Sequence, residues 1–386
     1  MLENITETIK YIGVNDRNID LFESQYIVPN GMSYNSYLVK DENNVVMDTV
    51  DGRVTEAWLN NLEKELDGEK VDYLVISHLE PDHSANIATL CKKYPEMKII
   101  GNNKTFMYLP QFCDIKDLDN RKIEVKEDDE ISFGKHTLKF FMAPMVHWPE
   151  VMVSYESSEK VLFSADAFGK FGCQDVKDNW IDEARRFYIN IVAKYGLQVQ
   201  ALLNKLSGLD IKFICSLHGP VLSENLSLYI DKYNIWSKYE PEEEGVLVTY
   251  ASIHGNTAKV AKEFAKLLDE KGFKKIVLFD LTRQDMSEAI SLAYKYDKLV
   301  VAASSYNAGV FPPMEHFLRL LKDKNYQNRK VGIIENGTWA PSAARSMKAL
   351  LDEMKNITQV EPIVTIKTTL KLENIEQLNA LAEALK

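Results

Sequence analysis

Residues 73–83 read Tyr73-Leu74-Val75-Ile76-Ser77-His78-Leu79-Glu80-Pro81-Asp82-His83. The first part is an apolar run of the kind that forms a buried strand. The second part carries two imidazoles and two carboxylates before a helical stretch that begins near Asn86. Alternate residues of an extended segment share a face, so His78, Glu80 and Asp82 are expected to converge, with His83 starting the turn beyond. A solvated loop gains nothing from that density of ligand-type side chains, whereas a metal ion does. Three further residues each follow an apolar strand-like run: His147 after residues 137–143, Asp166 after 160–164 and His218 after 213–216. The chain has 7 histidines, and four of them fall in this set. Four imidazoles and three carboxylates are too many donors for one tetrahedral ion and suit two metals bridged by a carboxylate.

Working outward, strand-like runs at 34–38, 44–48, 98–100 and 151–155 and helical patterns at 56–66, 181–206 and 223–236 predict two sheets with helices outside them over residues 1–240. The stretch Tyr239-Glu-Pro-Glu-Glu-Glu-Gly245 combines a charge run, a proline and a glycine where the pattern changes character, and is expected to be the domain boundary. Over residues 245–386, short apolar runs at 246–250, 275–279, 298–303, 330–334 and 363–366 alternate with helical patterns at 257–271, 286–295, 312–322, 342–355 and 375–385. That alternation predicts a doubly wound parallel sheet of flavodoxin-like architecture, whose ligand lies beyond the strand C-termini.

Three loops of this second half face that edge. Ser252-Ile253-His254-Gly255-Asn256-Thr257 leads into a helix and offers hydroxyls, backbone N–H groups and the positive end of the helix dipole to a phosphate. Ser304-Ser305-Tyr306-Asn307-Ala308-Gly309 and Glu335-Asn336-Gly337-Thr338-Trp339 follow the third and fourth strands, and a planar ring could rest between them with Trp339 as its aromatic wall. No GxGxxG fingerprint is present, so direct binding of a nicotinamide dinucleotide is not supported and electrons are expected from another protein.

Composition bounds the rest. With 386 residues, 45% hydrophobic and 27% charged, the chain has the profile of a two- or three-domain globular protein. Its net charge of -11 disfavours nucleic acid and anionic membrane as partners. Cys91, Cys113, Cys173 and Cys215 are widely spaced with no CxxC pair, which predicts a reduced, cytoplasmic protein without a fused rubredoxin. No secretion signal or apolar run long enough to span a membrane is seen.

On these residues the sequence resembles the flavodiiron proteins over essentially its whole length. The family pattern HxExDH, then His, Asp and His, appears as His78/Glu80/Asp82/His83, His147, Asp166 and His218, and the SxxGxT phosphate loop as Ser252 to Thr257. The family often has Pro and Thr at the positions of Ser304 and Ser305, and a Gly-Ser-Tyr-Gly-Trp run at 335–339. The resemblance implies a metallo-β-lactamase-like αββα domain followed by a flavodoxin-like domain binding FMN. It also implies that His78, Glu80 and His147 bind one iron, Asp82, His83 and His218 the other, and that Asp166 bridges them. A histidine usually stands at the place of Glu80 in zinc hydrolases of this fold; a carboxylate there favours ferric iron and a redox role.

The function expected is reduction of O2 to water, of NO to N2O, or both, with electrons passing from a separate protein donor, such as rubredoxin or its reductase, through FMN to two non-haem irons. A head-to-tail homodimer or dimer of dimers is implied by the same resemblance. The rivals are a dizinc hydrolase with a flavodoxin-like accessory domain and an electron carrier whose first domain only docks partners. Tyr26, Trp148, Phe168 and Tyr188 are candidate residues around the metals. Some family members carry a histidine in the loop before the first Tyr-Asn pair, and this chain has none between Asp20 and Asn35.

Overall fold

A computed structural model describes residues 4–386, which form two compact units: residues up to 188 together with 197–234, and residues 189–196 together with 235–386. The first unit is built on two sheets. One runs Ile9–Tyr11, Tyr37–Val39, Val45–Met47, Tyr73–Val75, Lys98–Gly101, Lys122–Glu124 across its width, antiparallel over the first three strands and parallel thereafter. The other runs Glu130–Ser132, Thr137–Met142, Met152–Glu156, Val161–Phe163, Phe213–Cys215, with only the last pair parallel.

Alternation along the strands decides which side chains meet between the sheets. Tyr37 and Val39, Val45 and Met47, Val75 and Ile100 from the first sheet share one core with Phe133, Leu138, Phe140, Met152, Val161, Phe163 and Cys215 around the second. The intervening Leu38, Val46 and Leu74 are also fully buried, so these strands read as continuous apolar runs rather than alternating ones. Phe140 is buried completely in the shared core. Phe140→Ala is expected to destabilise the protein by about 3–5 kcal/mol, read as a lowered denaturant midpoint with an unchanged slope.

Two expected elements are broken, and each break has a visible cause. The run at 34–38 splits into Met32–Tyr34, which pairs with Val14–Asp16, and Tyr37–Val39 in the large sheet. Between them the Asn35 amide donates to the Ser216 and Gly219 carbonyls, both at 2.8 Å, and accepts from the Tyr11 hydroxyl. The helix expected over 181–206 becomes Trp180–Ile191, a 3-10 turn Ala193–Tyr195 and Gly196–Leu206. Here the Tyr239 hydroxyl enters the ladder, donating to the Ala193 carbonyl at 2.9 Å and accepting from Gly196 N–H at 3.2 Å. A Cβ on Gly196 would lie 2.3 Å from the Ser237 carbonyl, so only glycine fits. Strands Ile9–Tyr11, Lys122–Glu124 and Glu130–Ser132 are 3 residues each and too short to show a period in the sequence.

The second unit is a parallel sheet in the order Ile276–Asp280, Glu243–Ala251, Tyr296–Tyr306, Arg329–Asn336, with a fifth position shared by Ile357–Gln359 and Val364–Ile366. The second and third strands in sequence flank the first on opposite sides, so the connecting helices cover both faces. Asn256–Glu270 and Leu372–Leu385 bury Val260, Phe264, Leu378 and Leu381 against Val246, Val248, Val300 and Ile334. Met286–Lys295, Pro312–Asp323 and Ala343–Asp352 supply the other layer. Among the described residues no helix is long and apolar enough to cross a membrane.

Candidate functional site

In the first unit the ligand-type residues gather at the rim where the strands end. Asp48, just past Val45–Met47, accepts from Ser77 N–H at 2.7 Å and His78 N–H at 3.3 Å, which fixes the start of the loop after the neighbouring strand. Burial pushes the Asp48 carboxyl up to about 6 against the pull of Ser77 and His83.

The loop does not stay extended through Asp82. Pro81 occupies the first turn of a short helix, Pro81–Ser84, for which its fixed φ is suited. That turn separates Asp82 from His78 and Glu80, with which it was expected to converge, and carries it with His83 to the other side of the site.

The outcome is two adjoining groups: His78, Glu80, His147 and Asp166, and Asp82, His83 and His218, each with ligand atoms within 4.8 Å of one another. Within the first, His147 Nε2 lies 3.1 Å from Glu80 Oε2 and 3.1 Å from Asp166 Oδ2, and His78 Nε2 lies 3.2 Å from Glu80 Oε2. Within the second, His83 Nε2 lies 3.1 Å from His218 Nε2, and Asp82 Oδ2 lies 3.3 Å from each. The second oxygen of Asp166, Oδ1, reaches this group at 3.3 Å from His83 Nε2. One carboxylate therefore spans both groups.

These donors fit two metal ions. Donors about 2.1 Å from one ion and at right angles around it stand about 3 Å apart, the spacing seen here. His218 Nδ1 donates to the Ser33 carbonyl at 2.8 Å, so its Nε2 presents a lone pair, and that lone pair faces His83 Nε2. Both oxygens of Asp82 and Oδ1 of Asp166 are buried without a hydrogen-bond partner. Acceptors facing acceptors in a dry site are costly unless a cation lies between them. Carboxylate and imidazole charge are strongly interdependent in the site. Burial opposes charge on Asp166, yet His147 and His83 hold its carboxyl well below the usual range. Burial likewise opposes charge on His147, yet Asp166 and Glu80 lift it to about 9.

Outer contacts orient the set. Glu150 Oε1 lies 2.8 Å from His78 Nδ1 and accepts from Leu79 N–H at 3.0 Å, which turns His78 Nε2 inward. Trp148 stands edge-on to His78 at 4.9 Å between ring centroids. Of the other aromatics singled out in the sequence, Tyr26 packs on Phe171, and Phe168 and Tyr188 both pack on Tyr233. The rings around His218 are Phe22, Tyr34 and Phe187, at 5.3, 5.9 and 5.5 Å. Sequence reasoning missed these three, together with Ser33, Asp48 and Glu150. Asp48 was accessible to the rule that found Asp166, since it too follows an apolar strand; the aromatics carried no such signal.

In the second unit a cleft of about 810 Å³ opens at the strand C-termini. Its lining includes Ser252, Ile253, His254, Asn256, Thr257, Ser304, Ser305, Tyr306, Asn307, Ala308, Asn336, Gly337, Thr338 and Trp339, together with Ala340, Pro341, Ser342, Arg345 and Thr368. Gly255 and Gly309 shape the backbone without lining it: Gly255 is left-handed with φ +88 at the N-cap of Asn256–Glu270, and Gly309 pairs with Tyr306. Two of the expected loops are the ends of strands, because Tyr296–Tyr306 and Arg329–Asn336 run further than their apolar cores. Glu335 consequently points into the protein, where its carboxylate accepts from Ala344 N–H at 2.9 Å and the Thr365 hydroxyl at 2.8 Å, and it is not part of the cleft.

The cleft suits an anionic, planar ligand. None of its lining residues is acidic, and Arg345 lies among them. Ser252 Oγ accepts from Gly255 N–H at 3.1 Å, closing the turn that presents the N-terminus of the helix. Trp339 is 91% exposed, so its ring face is free for a flat partner. Gly337 admits no side chain, since a Cβ there would lie 2.8 Å from Pro341 Cα and 2.9 Å from Ser305 Oγ. Gly337→Val is expected to lower flavin content by about tenfold or more while metal content is unchanged, measured by flavin absorbance and elemental analysis of one sample.

Comparison with known proteins places both halves. Residues 32–219 match the ODP family beta lactamase description and residues 248–377 match flavodoxin. The chain is 27% identical over 366 residues to a flavo-diiron protein of Clostridium acetobutylicum, covering 91% of this chain and 90% of the relative. It is 27% identical over 379 residues to an anaerobic nitric oxide reductase flavorubredoxin of Vibrio vulnificus, covering 95% of this chain and 76% of that one. The structure of rubredoxin oxygen:oxidoreductase from Desulfovibrio gigas superposes with a TM-score of 0.91 at 26% identity, covering 100% of this chain and 98% of that one. The fold is thus a metallo-β-lactamase-like domain joined to a flavodoxin-like domain. With its relatives aligned across both domains, the chain resembles the flavodiiron proteins over essentially its whole length.

Proposed function

We propose that the protein passes electrons from a separate protein donor through FMN to two non-haem irons, where O2 is reduced to water or NO to N2O. The observation that carries this reading is the seven-residue donor set with Glu80 in place, in one chain with a cleft at the strand C-termini of a flavodoxin-like sheet. His78, Glu80 and His147 would hold one iron, Asp82, His83 and His218 the other, and Asp166 both. When bound, FMN and iron supply the one- and two-electron chemistry that side chains lack.

The chain's own residues prepare that site. Glu150 and the Ser33 carbonyl fix the tautomers of His78 and His218. Trp148, Phe22, Tyr34 and Phe187 wall the imidazoles with apolar surface and keep bulk water from them. In the second unit, the Ser252 to Thr257 turn would take the phosphate, and Tyr306 and Trp339 the ring system. A carboxylate at Glu80 speaks against the dizinc hydrolase.

The relatives named for nitric oxide and for rubredoxin and oxygen support both gases as substrates and a rubredoxin-type donor. A head-to-tail homodimer and a cytoplasmic setting complete the proposal, the latter supported by four free thiols. Anaerobic turnover with each gas in turn, with one chemical reductant and one rubredoxin-type donor, tests it. Consumption of neither gas by protein carrying two irons and FMN, with ester hydrolysis by the dizinc form, would overturn it.

A further inference from the structure

A separate pocket of about 150 Å³ lies in the first unit and is lined by none of the seven donor residues. Its walls are mainly Leu162, Phe168, Leu203, Ile211, Ile214 and Ile230. Leu162 and Ile214 belong to the strands Val161–Phe163 and Phe213–Cys215, which lead directly to Asp166 and His218. Phe168 is two residues beyond Asp166. It is held with φ +66, its ring stacked on Tyr233 at 4.3 Å and its N–H donating to the Tyr233 hydroxyl at 2.5 Å. A left-handed backbone at a bulky residue is strained and persists only where its surroundings enforce it.

We propose that this cavity is a holding site for the apolar diatomic substrate, O2 or NO, next to the loop that carries Asp166. The inference rests on the gas-reducing function proposed above. Its size excludes a peptide or a cofactor, and its walls exclude an ion. Of its three polar lining residues, the Ser207 hydroxyl donates to the Asn204 carbonyl at 2.8 Å and the Asn234 amide to the Ile230 carbonyl at 3.2 Å. The rest of the lining is apolar, and an apolar space of about this size admits xenon. A small apolar gas is driven into such a space by the same effect that drives a side chain there.

Xenon is the probe. Crystals of the full-length protein pressurised with xenon are expected to show one atom between Leu203 and Phe168. Leu203→Trp, at the partly exposed mouth, is expected to abolish that atom and to raise KM for O2 and for NO roughly fivefold with kcat and the iron and FMN contents unchanged. Ile230→Phe serves the same purpose if the tryptophan disturbs folding. An empty cavity under xenon, or a blocked cavity with unaltered KM for both gases, would overturn the proposal. Xenon is read without turnover, so a protein that binds it but reduces neither gas would refute the function and leave the cavity site standing.

Discussion

Asp166→Asn is expected to empty both metal positions at once. Asp166 sends Oδ2 to His147 at 3.1 Å and Oδ1 to His83 at 3.3 Å, so its carboxylate reaches both groups. The amide keeps the volume but removes the charge and turns one of those oxygens into a donor aimed at an imidazole lone pair. Loss of an outer partner alone weakens metal binding about 10–100-fold, and loss of a shared anionic donor exceeds that. Iron should fall from about two per chain to near none, and gas reduction with it, while flavin absorbance persists because the cleft lies in the other unit. Glu150→Gln offers the contrast: it leaves every proposed ligand in place and perturbs only the His78 tautomer, so iron is retained at high concentration and lost more readily to a chelator. Retention of full activity by Asp166→Asn would remove the bridging role.

Two inactive chains are expected to restore each other. If each flavin serves the irons of the partner in a head-to-tail dimer, a chain with His83→Ala and His147→Ala still offers its flavin, and a chain with Gly337→Val still offers its irons. At equal expression and random pairing, half the dimers are mixed and each has one working junction, giving roughly a quarter of normal activity. Mixed dimers isolated by two affinity tags isolate the effect. No activity in that fraction, with iron and flavin both present, would mean that electrons travel within one chain.

The gathering of the candidate donors was legible because polar ligand types after apolar runs stand out against ordinary strand ends. Their sorting into two groups came from the family resemblance and not from the residues themselves: it depends on Pro81 starting a helix, and a proline after Glu80 is as compatible with an extended loop as with a first helical turn. The flavin cleft was legible in its loops but not in its depth, since Ala340, Pro341, Ser342, Arg345 and Thr368 reach it through tertiary packing. Glu335 shows the opposite failure. It was placed in the loop after the fourth strand, whereas it ends the strand and is satisfied inside by Ala344 N–H and the Thr365 hydroxyl, 9 and 30 residues away. The helix break at Ala193–Tyr195 could not be read locally, because its cause, Tyr239, is 43 residues from Gly196.

That break has a thermodynamic consequence. The chain passes from the first unit to the second for residues 189–196, returns for 197–234 and crosses again. The inserted segment is held by Lys324 Nζ on the Asn190 carbonyl at 2.6 Å and by Asn325 on the Lys194 carbonyl at 2.8 Å. A fragment beginning at Gly245 would therefore leave part of its own packing behind. Opening the second unit also frees the helix ends on either side of the insertion, Trp180–Ile191 and Gly196–Leu206. Melting should follow as a single calorimetric transition in which the heat absorbed equals the van't Hoff value. FMN added to flavin-depleted protein should then raise that one midpoint, so that cofactor loading in one unit protects the iron-binding unit from thermal loss.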